Sequence, residues 1–348
     1  MLGKRLAETK RQFANIRNIL IGSNRARDGD IPHGLEEFLR VYDHVDLAYW
    51  KAYDHCSAVV HCYAAFERFA LAAVNEWVTW CLTNQPEMIL KNESARTLYE
   101  TGVAEIIRRK TEARFSGVDH GRLASGMGLF YSKLLPDNIS LLVDPFFATQ
   151  PNLRLKHIGD LFQSVGLGPT DQWLQNSKAL QQLCQDEGYN LTNEIVHLVE
   201  MRNEAAHGNE LPTEILGIND LLALIKLLTS LCISFHDLIL TQICRAELGI
   251  NFEKGYLGQI TRLWPKNSAC ELTTGTLTVS VETKVAFIQE GFFEISKVDA
   301  IQLEGLSTRH FYGSEKTALG ISIKYLPPVG VKMIDLRNIR GLEGLLNM

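Results

Sequence analysis

Apolar residues recur three and four positions apart over most of the chain, from about residue 4 to residue 246. This period matches the 3.6 residues of a helical turn, so this part of the protein is predicted to be helical. The most regular segment, residues 53–82, puts five apolar side chains on one face: Val59, Tyr63, Phe66, Ala70 and Val74. Glu67 and Arg68 interrupt that face. The pattern predicts a long core helix with two charged positions in its middle.

The most apolar run, residues 221–244, is also predicted to be a core helix. Lys226, His236 and Asp237 break its apolar character, which fits a helix inside a protein better than one in a bilayer. Asn219 precedes the run and is a residue type that caps helices. Residues 1–20 are basic and lack the apolar centre of a signal peptide, so they are predicted to form a charged amphipathic helix. We therefore expect no membrane partner.

Beyond about residue 250 the pattern changes to short, β-branched segments separated by glycine, proline or polar turns. Such a pattern predicts a separate all-β domain, in the form of a small barrel. The sequence thus predicts a multi-domain α and β protein. Its all-α helical bundle covers residues 1–247, with an irregular insertion around 112–170, and its small C-terminal β-barrel covers 250–348. The loop-forming strings DHGRLASGMG and LVDPFFATQPN indicate the insertion.

Composition narrows the classes of function. The 348 residues carry a formal net charge of −5 and are 46% hydrophobic, which favours a folded protein without an overall basic field. Any contact with nucleic acid must then come from a local patch. The seven cysteines form no CxxC pair, and we interpret them as reduced thiols of a cytoplasmic protein. A metal site is disfavoured at the one dense His/Cys cluster, since its members do not share a helix face: His55, Cys56, His61 and Cys62.

The string IVHLVEMRNEAAHGNELP contains the most informative charges. Five of its residues recur at helical spacing: Ile195, Leu198, Val199, Arg202 and Ala206. Arg202 is thereby predicted to lie on the packed stripe of a helix, where a guanidinium needs a partner or a function. One interpretation is structural: Arg202 binds a carboxylate such as Glu67 or Glu200, and His207 only caps the helix end. His197 lies off the stripe, and either a surface position or a supporting role fits it.

The other interpretation is catalytic. His207 follows Arg202 by five positions, about 140° around an ideal helix, so one chain alone pairs the two poorly. Gly208 is suited to end the helix, which would put His207 in the last turn, where the helix dipole favours imidazolium and suits the ring to proton transfer. These groups suit RNA cleavage, in which the ribose 2′-OH loses its proton and attacks the adjacent phosphorus. No metal and no cofactor are required.

The spacing of arginine and histidine is by itself a weak signal. Arg27 with His33 and Arg114 with His120 share the looser pattern. Both intervals contain glycine or proline and cannot form regular helices, whereas RNEAAH follows three turns of amphipathic helix. Context therefore selects one pair of the three.

The string LVEMRNEAAHG, followed by a short loop and a long apolar helix, resembles the signature of the HEPN superfamily, all-α domains found in many prokaryotic toxin ribonucleases. The upstream segment CYAAFERFALAAVNEWV resembles the helix that packs beside the motif helix in the RiboL-PSP and MAE-like branches. The resemblance covers residues 50–85 and 175–246, and it leaves residues 86–175 without a counterpart.

This resemblance implies a metal-independent endoribonuclease in which Arg202 and His207 cleave RNA. Asn203, the polar residue after the arginine, is implied to orient the reacting groups. A homodimer whose two motifs line one cleft is further implied, as are tRNA or mRNA as substrate, a toxin or antiphage-defence role, and an antitoxin or inhibitor as partner. The alternative is a non-catalytic HEPN-like scaffold that binds RNA or a protein.

Residues 255–336 resemble the second domain of translation elongation factors. The matching positions, in the order of that family, are Gly258 to Thr261, Trp264-Pro265, Ala269 to Leu272, Gly275 to Val279 and Ile301-Gln302. Ser280-Val281 replaces the usual Gly-Asp, so that turn is expected to differ. The resemblance implies contact with translational RNA. Arg262, Lys266, Arg309 and Lys316 are candidates for a basic contact surface, and ordinary solvated charges are the alternative. A dimerisation or packing module is the alternative, since one fold serves many functions.

Overall fold

The computed structural model describes residues 2–30, 45–132, 141–149, 154–207, 212–249, 252–274, 278–312, 317–323, 326–337 and 339, and of residue 207 the backbone alone. The chain divides into two compact units. Met1–Pro169 and Ala179–Ile233 belong to the first unit, and Thr170–Lys178 and Ser234–Leu345 to the second.

Helices dominate the first unit. They are α1 (Leu2–Arg27), α2 (Leu47–Asn84), α3 (Glu87–Leu90), α4 (Glu93–Arg108), α5 (His120–Tyr131), α6 (Asp144–Ala148), α7 (Leu155–Ser164), with α8 (Thr170–Asn176) assigned to the second unit, then α9 (Lys178–Glu187) and α10 (Leu191–His207). The last helix, α11 (Ile218–Leu248), passes from the first unit into the second after Ile233. The helical character predicted for this part of the chain is confirmed in its described ranges.

The core helix predicted over residues 53–82 is part of α2. Asp46 caps its first turn, because the carboxylate accepts hydrogen bonds from the N–H groups of Ala48 and Tyr49 at 2.7 and 3.4 Å. All five residues predicted to share a face are buried: Val59, Tyr63, Phe66, Ala70 and Val74. Each large apolar side chain buried in this way stabilises the helical unit by about 1.5–3 kcal/mol.

A partly buried polar network ties the last turns of α1 to the first turns of α2. Arg27 forms an ion pair with Asp54, whose carboxylate also accepts a 2.6 Å hydrogen bond from the hydroxyl of Ser23. The indole N–H of Trp50 donates to the oxygen of Ser23 at 2.8 Å. Only 9% of the Arg27 side chain and 12% of the Asp54 side chain are exposed. The pair therefore depends on its own geometry and hydrogen bonds, because water compensates little of its charge.

The segment 112–170, predicted to be an irregular insertion, contains α5, α6 and α7 in its described residues. The loop prediction for DHGRLASGMG was wrong. Asp119 caps α5 by accepting from the N–H groups of Gly121 and Arg122 at 2.9 and 3.1 Å. Gly126 serves close packing, because a Cβ there would lie 2.2 Å from the hydroxyl oxygen of Tyr99.

The start of α11 also differs from the prediction. Leu221 donates its N–H to the carbonyl of Gly217 at 3.0 Å, and the Asp220 carboxylate accepts from the Gly217 N–H at 3.2 Å. Asn219 lies inside the first turn, so the capping role predicted for it was wrong. A carboxylate that reaches back to the residue before the helix takes its place.

Two described helices, α2 and α11, are long and apolar enough to cross a bilayer by length and composition alone. In the folded chain, 56% and 67% of their most apolar windows are buried within the protein. This burial is typical of core helices and agrees with the interpretation of residues 221–244 drawn from sequence.

The second unit contains a closed β-barrel. The strands of this unit, of which the short β3, β6 and β7 lie outside the barrel ring, are β1 (Tyr256–Trp264), β2 (Ala269–Thr274), β3 (Val279–Ser280), β4 (Lys284–Gln289), β5 (Phe292–Leu303), β6 (Leu306–Thr308), β7 (His310–Phe311), β8 (Ala318–Ile323) and β9 (Lys332–Asp335). Six strands close in the order β1, β2, β8, β5, β4, β9 and back to β1, with antiparallel pairing throughout. The predicted small barrel is confirmed.

Alternating residues fill the interior of the barrel. Along β2 the buried positions are Cys270, Leu272 and Thr274, and along β8 they are Leu319, Ile321 and Ile323. Because side chains alternate between the faces of a strand, this period of two directs one set inward. The β-branched pattern seen in the sequence beyond residue 250 therefore reflects the barrel core.

Helix α8 joins the second unit although it lies between two segments of the first in sequence. Within the second unit, the indole N–H of Trp173 donates to the carbonyl of Ser234 at 2.8 Å. Gly291, in the turn between β4 and β5, has φ +74° and lies so near Asn176 that a Cβ would be 2.2 Å from its carbonyl carbon. Only glycine fits at this turn.

Candidate active site at the end of the motif helix

The packed stripe of α10 runs into Arg202. Ile195, Leu198 and Val199 are fully buried, Arg202 is half-buried, and Ala206 is exposed. The stripe predicted from sequence extends to Ala206, but the buried part of it ends one turn earlier, at Arg202. A guanidinium at this boundary has an apolar surface on one side and access to solvent on the other.

Two neighbouring side chains orient the guanidinium of Arg202. Its Nη1 donates to Oδ1 of Asn203 at 3.0 Å. Its Cζ lies 5.2 Å from the centre of the Tyr63 ring, which is 1% exposed and comes from α2. The ring face attracts the cation, and its burial gives it a fixed position. Both contacts restrict the rotamers of the arginine before any ligand binds.

Glu67 contacts the residue whose ring lies beneath Arg202. Its Oε1 accepts a hydrogen bond from the Tyr63 hydroxyl at 3.2 Å, one helical turn away on α2. Through this bond Glu67 supports the ring on which Arg202 lies. The contacts described for Arg202 are the bond to Asn203 and the contact with Tyr63, and the structural interpretation, in which Arg202 binds Glu67 or Glu200, stays a prediction.

His207 is the last residue of α10, and its side chain lies outside the described residues, as does Gly208. The pairing of Arg202 with His207 and the helix end at Gly208 therefore stay predictions. Four residues separate His207 from Pro212, where the described chain resumes.

The segment 212–217, between α10 and α11, is held by three side chains. The Glu204 carboxylate accepts from the N–H of Thr213 at 2.8 Å and from its hydroxyl at 3.0 Å. His197 Nε2 lies 3.2 Å from a carboxylate oxygen of Glu214. Nδ1 of His55, on α2, accepts from the N–H of Leu216 at 3.1 Å. We name residues 212–217 the anchored segment.

Electrostatics around the anchored segment follow from these contacts. The N–H and hydroxyl of Thr213 stabilise the Glu204 carboxylate and hold its pKa below the usual range. Burial lowers the pKa of His55, although Glu204 and Glu214 act in the opposite direction. The neutral form of His55 is therefore favoured, and that form can accept the hydrogen bond from Leu216.

Sequence reasoning missed His55 and Glu204. Their partners Leu216 and Thr213 are 161 and 9 positions away, and neither contact belongs to a sequence motif. His55 drew attention only as a member of a disfavoured metal cluster. The described residues contain no group of three or more His, Cys, Asp or Glu side chains that could hold a metal ion. The one available signal for His55 was its position on the buried face of α2.

The other two arginine–histidine pairs differ from Arg202 in their surroundings. Arg27 binds Asp54, and its histidine, His33, lies outside the described residues. Arg114 donates to the carbonyl of Phe147 at 3.1 Å, and His120 begins α5. Both arginines therefore have structural contacts that explain their positions.

The basic residues suggested for the barrel are exposed where they are described. Arg262, Lys266 and Arg309 are exposed, and Lys316 lies outside the described residues. Arg262 also lies over the ring of Trp264, with 5.9 Å between its Cζ and the ring centre. A basic contact surface at this position stays a prediction.

An all-α unit with an arginine at the end of a packed helix is the arrangement expected of a HEPN-type domain. The family model described as RiboL-PSP-HEPN matches residues 43–241, more than half of the 348-residue chain, and the chain belongs to this family. No curated protein and no solved structure matches the chain significantly. The HEPN resemblance is confirmed, whereas the resemblance of the barrel to an elongation-factor domain stays a prediction.

Proposed function

We propose that the protein is a metal-independent endoribonuclease that cleaves RNA by attack of the ribose 2′-OH. One observation carries the proposal: in a chain of the HEPN family, a half-buried arginine is oriented by Asn203 and Tyr63 five residues before a histidine. Arg202 binds the scissile phosphate, His207 acts as general acid and base, and Asn203 orients the guanidinium.

The reaction is balanced without a metal or cofactor. The 2′-oxygen bonds to phosphorus as its proton leaves for the imidazole, and the bond from phosphorus to the 5′-oxygen breaks as that oxygen takes up a proton. The products are a 2′,3′-cyclic phosphate and a 5′-hydroxyl. Negative charge grows on the phosphorane oxygens, and a fixed guanidinium stabilises it through charge-assisted hydrogen bonds. Removal of one such donor typically costs about 100- to 1000-fold in kcat.

Preorganisation supports this role for Arg202. A free arginine side chain loses about 2 kcal/mol of rotamer entropy when it is fixed. In this protein the Asn203 amide and the Tyr63 ring fix much of it in the folded state. Binding of the phosphate then orders less of the side chain, and more of its interaction energy stabilises the transition state.

A homodimer with a shared cleft is part of the proposal. Residues five apart on an ideal helix point about 140° away from each other, so a histidine of one chain meets a phosphate more readily with groups from a second copy. Light scattering of the pure protein is expected to give twice the chain mass. A monomer that cleaves RNA at the full rate would contradict the shared cleft.

The cellular role proposed is that of a cytoplasmic toxin or antiphage-defence effector acting on tRNA or mRNA, restrained by an antitoxin or inhibitor. Two arguments support this role. The chain belongs to the HEPN family, and the proposed chemistry needs no cofactor. Induction of the wild-type chain is expected to arrest growth, and induction of Arg202→Ala is expected not to.

The decisive assay incubates pure protein with tRNA and with mRNA in the presence of EDTA. Wild type is expected to produce fragments that end in 2′,3′-cyclic phosphate, and Arg202→Ala and His207→Ala are expected to lose this activity. The double variant Arg114→Ala/His120→Ala is the matched control, since it removes an arginine–histidine pair of similar spacing and undergoes the same purification. If wild type and all variants leave RNA equally intact, the protein is a scaffold and not a nuclease.

A further inference from the structure

The anchored segment, residues 212–217, is tied at two ends. At its beginning, Thr213 bonds through its N–H and its hydroxyl to Glu204, one turn before His207 on α10. At its end, Leu216 bonds through its N–H to His55 on α2. The anchored segment is therefore fixed both to the last turn of the motif helix and to the helix that supplies Tyr63.

His55 is an unusual anchor because a titratable ring serves as the acceptor. The residue is 1% exposed, and its Nδ1 lies 3.1 Å from the Leu216 nitrogen. Accepting this bond requires a neutral ring with its proton on Nε2. An imidazolium has N–H groups at both positions, so protonation would turn the acceptor into a donor facing another donor.

The charges that face His55 come from α10 and from the anchored segment. Glu204 and Glu214 favour imidazolium, while His197 opposes it. Burial outweighs the two carboxylates and lowers the pKa of His55, so the ring is neutral at neutral pH. Glu204 is itself committed to Thr213, and Glu214 lies beside His197.

We propose that His55 is a positioning residue: its acceptor bond to Leu216 fixes the anchored segment and thereby holds the last turn of the motif helix, with His207, in the reactive arrangement. This inference rests on the proposed ribonuclease function for its catalytic consequence. The anchor itself is a property of the folded chain and can be measured without RNA.

Two substitutions of His55 distinguish the loss of its hydrogen-bond acceptor from the loss of its side-chain volume. In His55→Asn the amide oxygen stands near the former Nδ1 and can accept the bond but does not titrate. In His55→Leu a side chain of similar size offers no acceptor. His61→Leu, at an exposed position on the same helix, is the matched control.

Amide hydrogen exchange at Leu216 gives the direct readout. Relative to wild type, His55→Leu is expected to raise the exchange rate by about tenfold or more, because the N–H of Leu216 loses its hydrogen-bond partner. His55→Asn is expected to stay within about threefold of wild type. Equal protection in His55→Leu and wild type would overturn the anchor.

The pH arm uses the titration of the ring. From about pH 7.5 to about pH 5, the exchange rate at Leu216, corrected for its intrinsic pH dependence, is expected to rise in wild type and to stay constant in His55→Asn. Equal pH dependence in the two proteins would contradict the assignment. This arm decides the question even if His55→Leu fails to fold.

Activity provides the last arm. In RNA cleavage, His55→Leu is expected to lower kcat by about tenfold with little change in KM, and His55→Asn is expected to restore it. An unchanged kcat in folded His55→Leu, with wild type active, would overturn the positioning role alone. If wild type does not cleave RNA, the proposed function fails, and the exchange measurements still decide whether the anchor exists.

Discussion

Arg27 and Arg202 lie against two aromatic rings of the same helix and differ in what they bind. Arg27 lies over Trp50 at 5.8 Å and Arg202 over Tyr63 at 5.2 Å, each measured from Cζ to the ring centre. Arg27 forms an ion pair with the carboxylate of Asp54, whereas Arg202 donates to the neutral amide oxygen of Asn203. Each also precedes a histidine in the sequence.

The comparison shows that an aromatic contact and a following histidine are shared by an arginine that pairs with a carboxylate and by the arginine that we propose binds phosphate. A carboxylate partner neutralises the cation and commits it to the fold. A bond to an amide oxygen, such as that from Arg202 to Asn203, orients the guanidinium without cancelling its charge, and positive charge is what binding of a phosphate requires. We therefore expect substitutions of the two arginines to separate stability from activity.

Removal of Arg27 is expected to have the largest effect on stability. Arg27→Ala leaves the Asp54 carboxylate, 12% exposed, without its ion-pair partner, and the free energy of unfolding is expected to fall by about 3–5 kcal/mol. Urea unfolding of wild type and variant measures this difference in the free energy of unfolding. Arg202→Ala is expected to lower the same quantity by about 1 kcal/mol, the worth of a cation–π contact. Equal losses in the two variants would remove the distinction.

Arg202→Lys tests whether charge alone suffices. Lysine keeps the positive charge but loses the planar fork that can bind two phosphate oxygens and that lies over Tyr63. We expect kcat for RNA cleavage to fall by about 10- to 30-fold, less than the loss in Arg202→Ala. Single-turnover kinetics with saturating protein isolates this step. A rate equal to that of wild type would show that the contact geometry is irrelevant.

Two substitutions of Tyr63 test separately how its ring face and its hydroxyl contribute to the orientation of Arg202. Tyr63→Phe keeps the ring face and loses the hydroxyl that donates to Glu67, so we expect kcat to change by no more than about threefold. Tyr63→Leu loses the face under the guanidinium, and a decrease of about tenfold is expected. The ratio of the two rates is the informative quantity. A larger defect in Tyr63→Phe than in Tyr63→Leu would assign the effect to Glu67.

The smallest effect is expected for the pair that shares only the loose spacing. Arg114 is exposed and binds a backbone carbonyl, and His120 lies in the first turn of α5. Cleavage by Arg114→Ala/His120→Ala is expected to stay within about twofold of wild type, since surface substitutions rarely act at a distance. A strong loss of cleavage in this double variant would contradict the selection of Arg202 and His207 over the other arginine–histidine pairs.

Much of the fold could be predicted from the sequence because the signals are periodic and local. The 3.6-residue period of residues 53–82 corresponds to α2, and the alternation beyond residue 250 corresponds to the barrel strands. Helix α5 was missed because its glycines mimic a loop, whereas Gly126 is required by the approach of Tyr99. That requirement exists only in three dimensions.

The candidate site was predicted only in part for the same reason. The position of Arg202 on a packed stripe follows from its spacing to Ile195, Leu198 and Val199. Its contact with Tyr63 joins two helices far apart in sequence, as does the bond from Leu216 to His55. The resemblance pointed to both helices and could not supply the register between them.

Cleavage of an RNA with a single 2′-deoxy nucleotide tests the central claim most directly. A substrate is first mapped for its cleaved linkage, and the nucleotide that supplies the 2′-OH to that linkage is then replaced by its deoxy form, with EDTA present. The account predicts that cleavage at this linkage disappears while other cleaved linkages in the same molecule keep their rates. Continued cleavage at the modified linkage would contradict attack by the 2′-OH, and with it the roles proposed for Arg202 and His207.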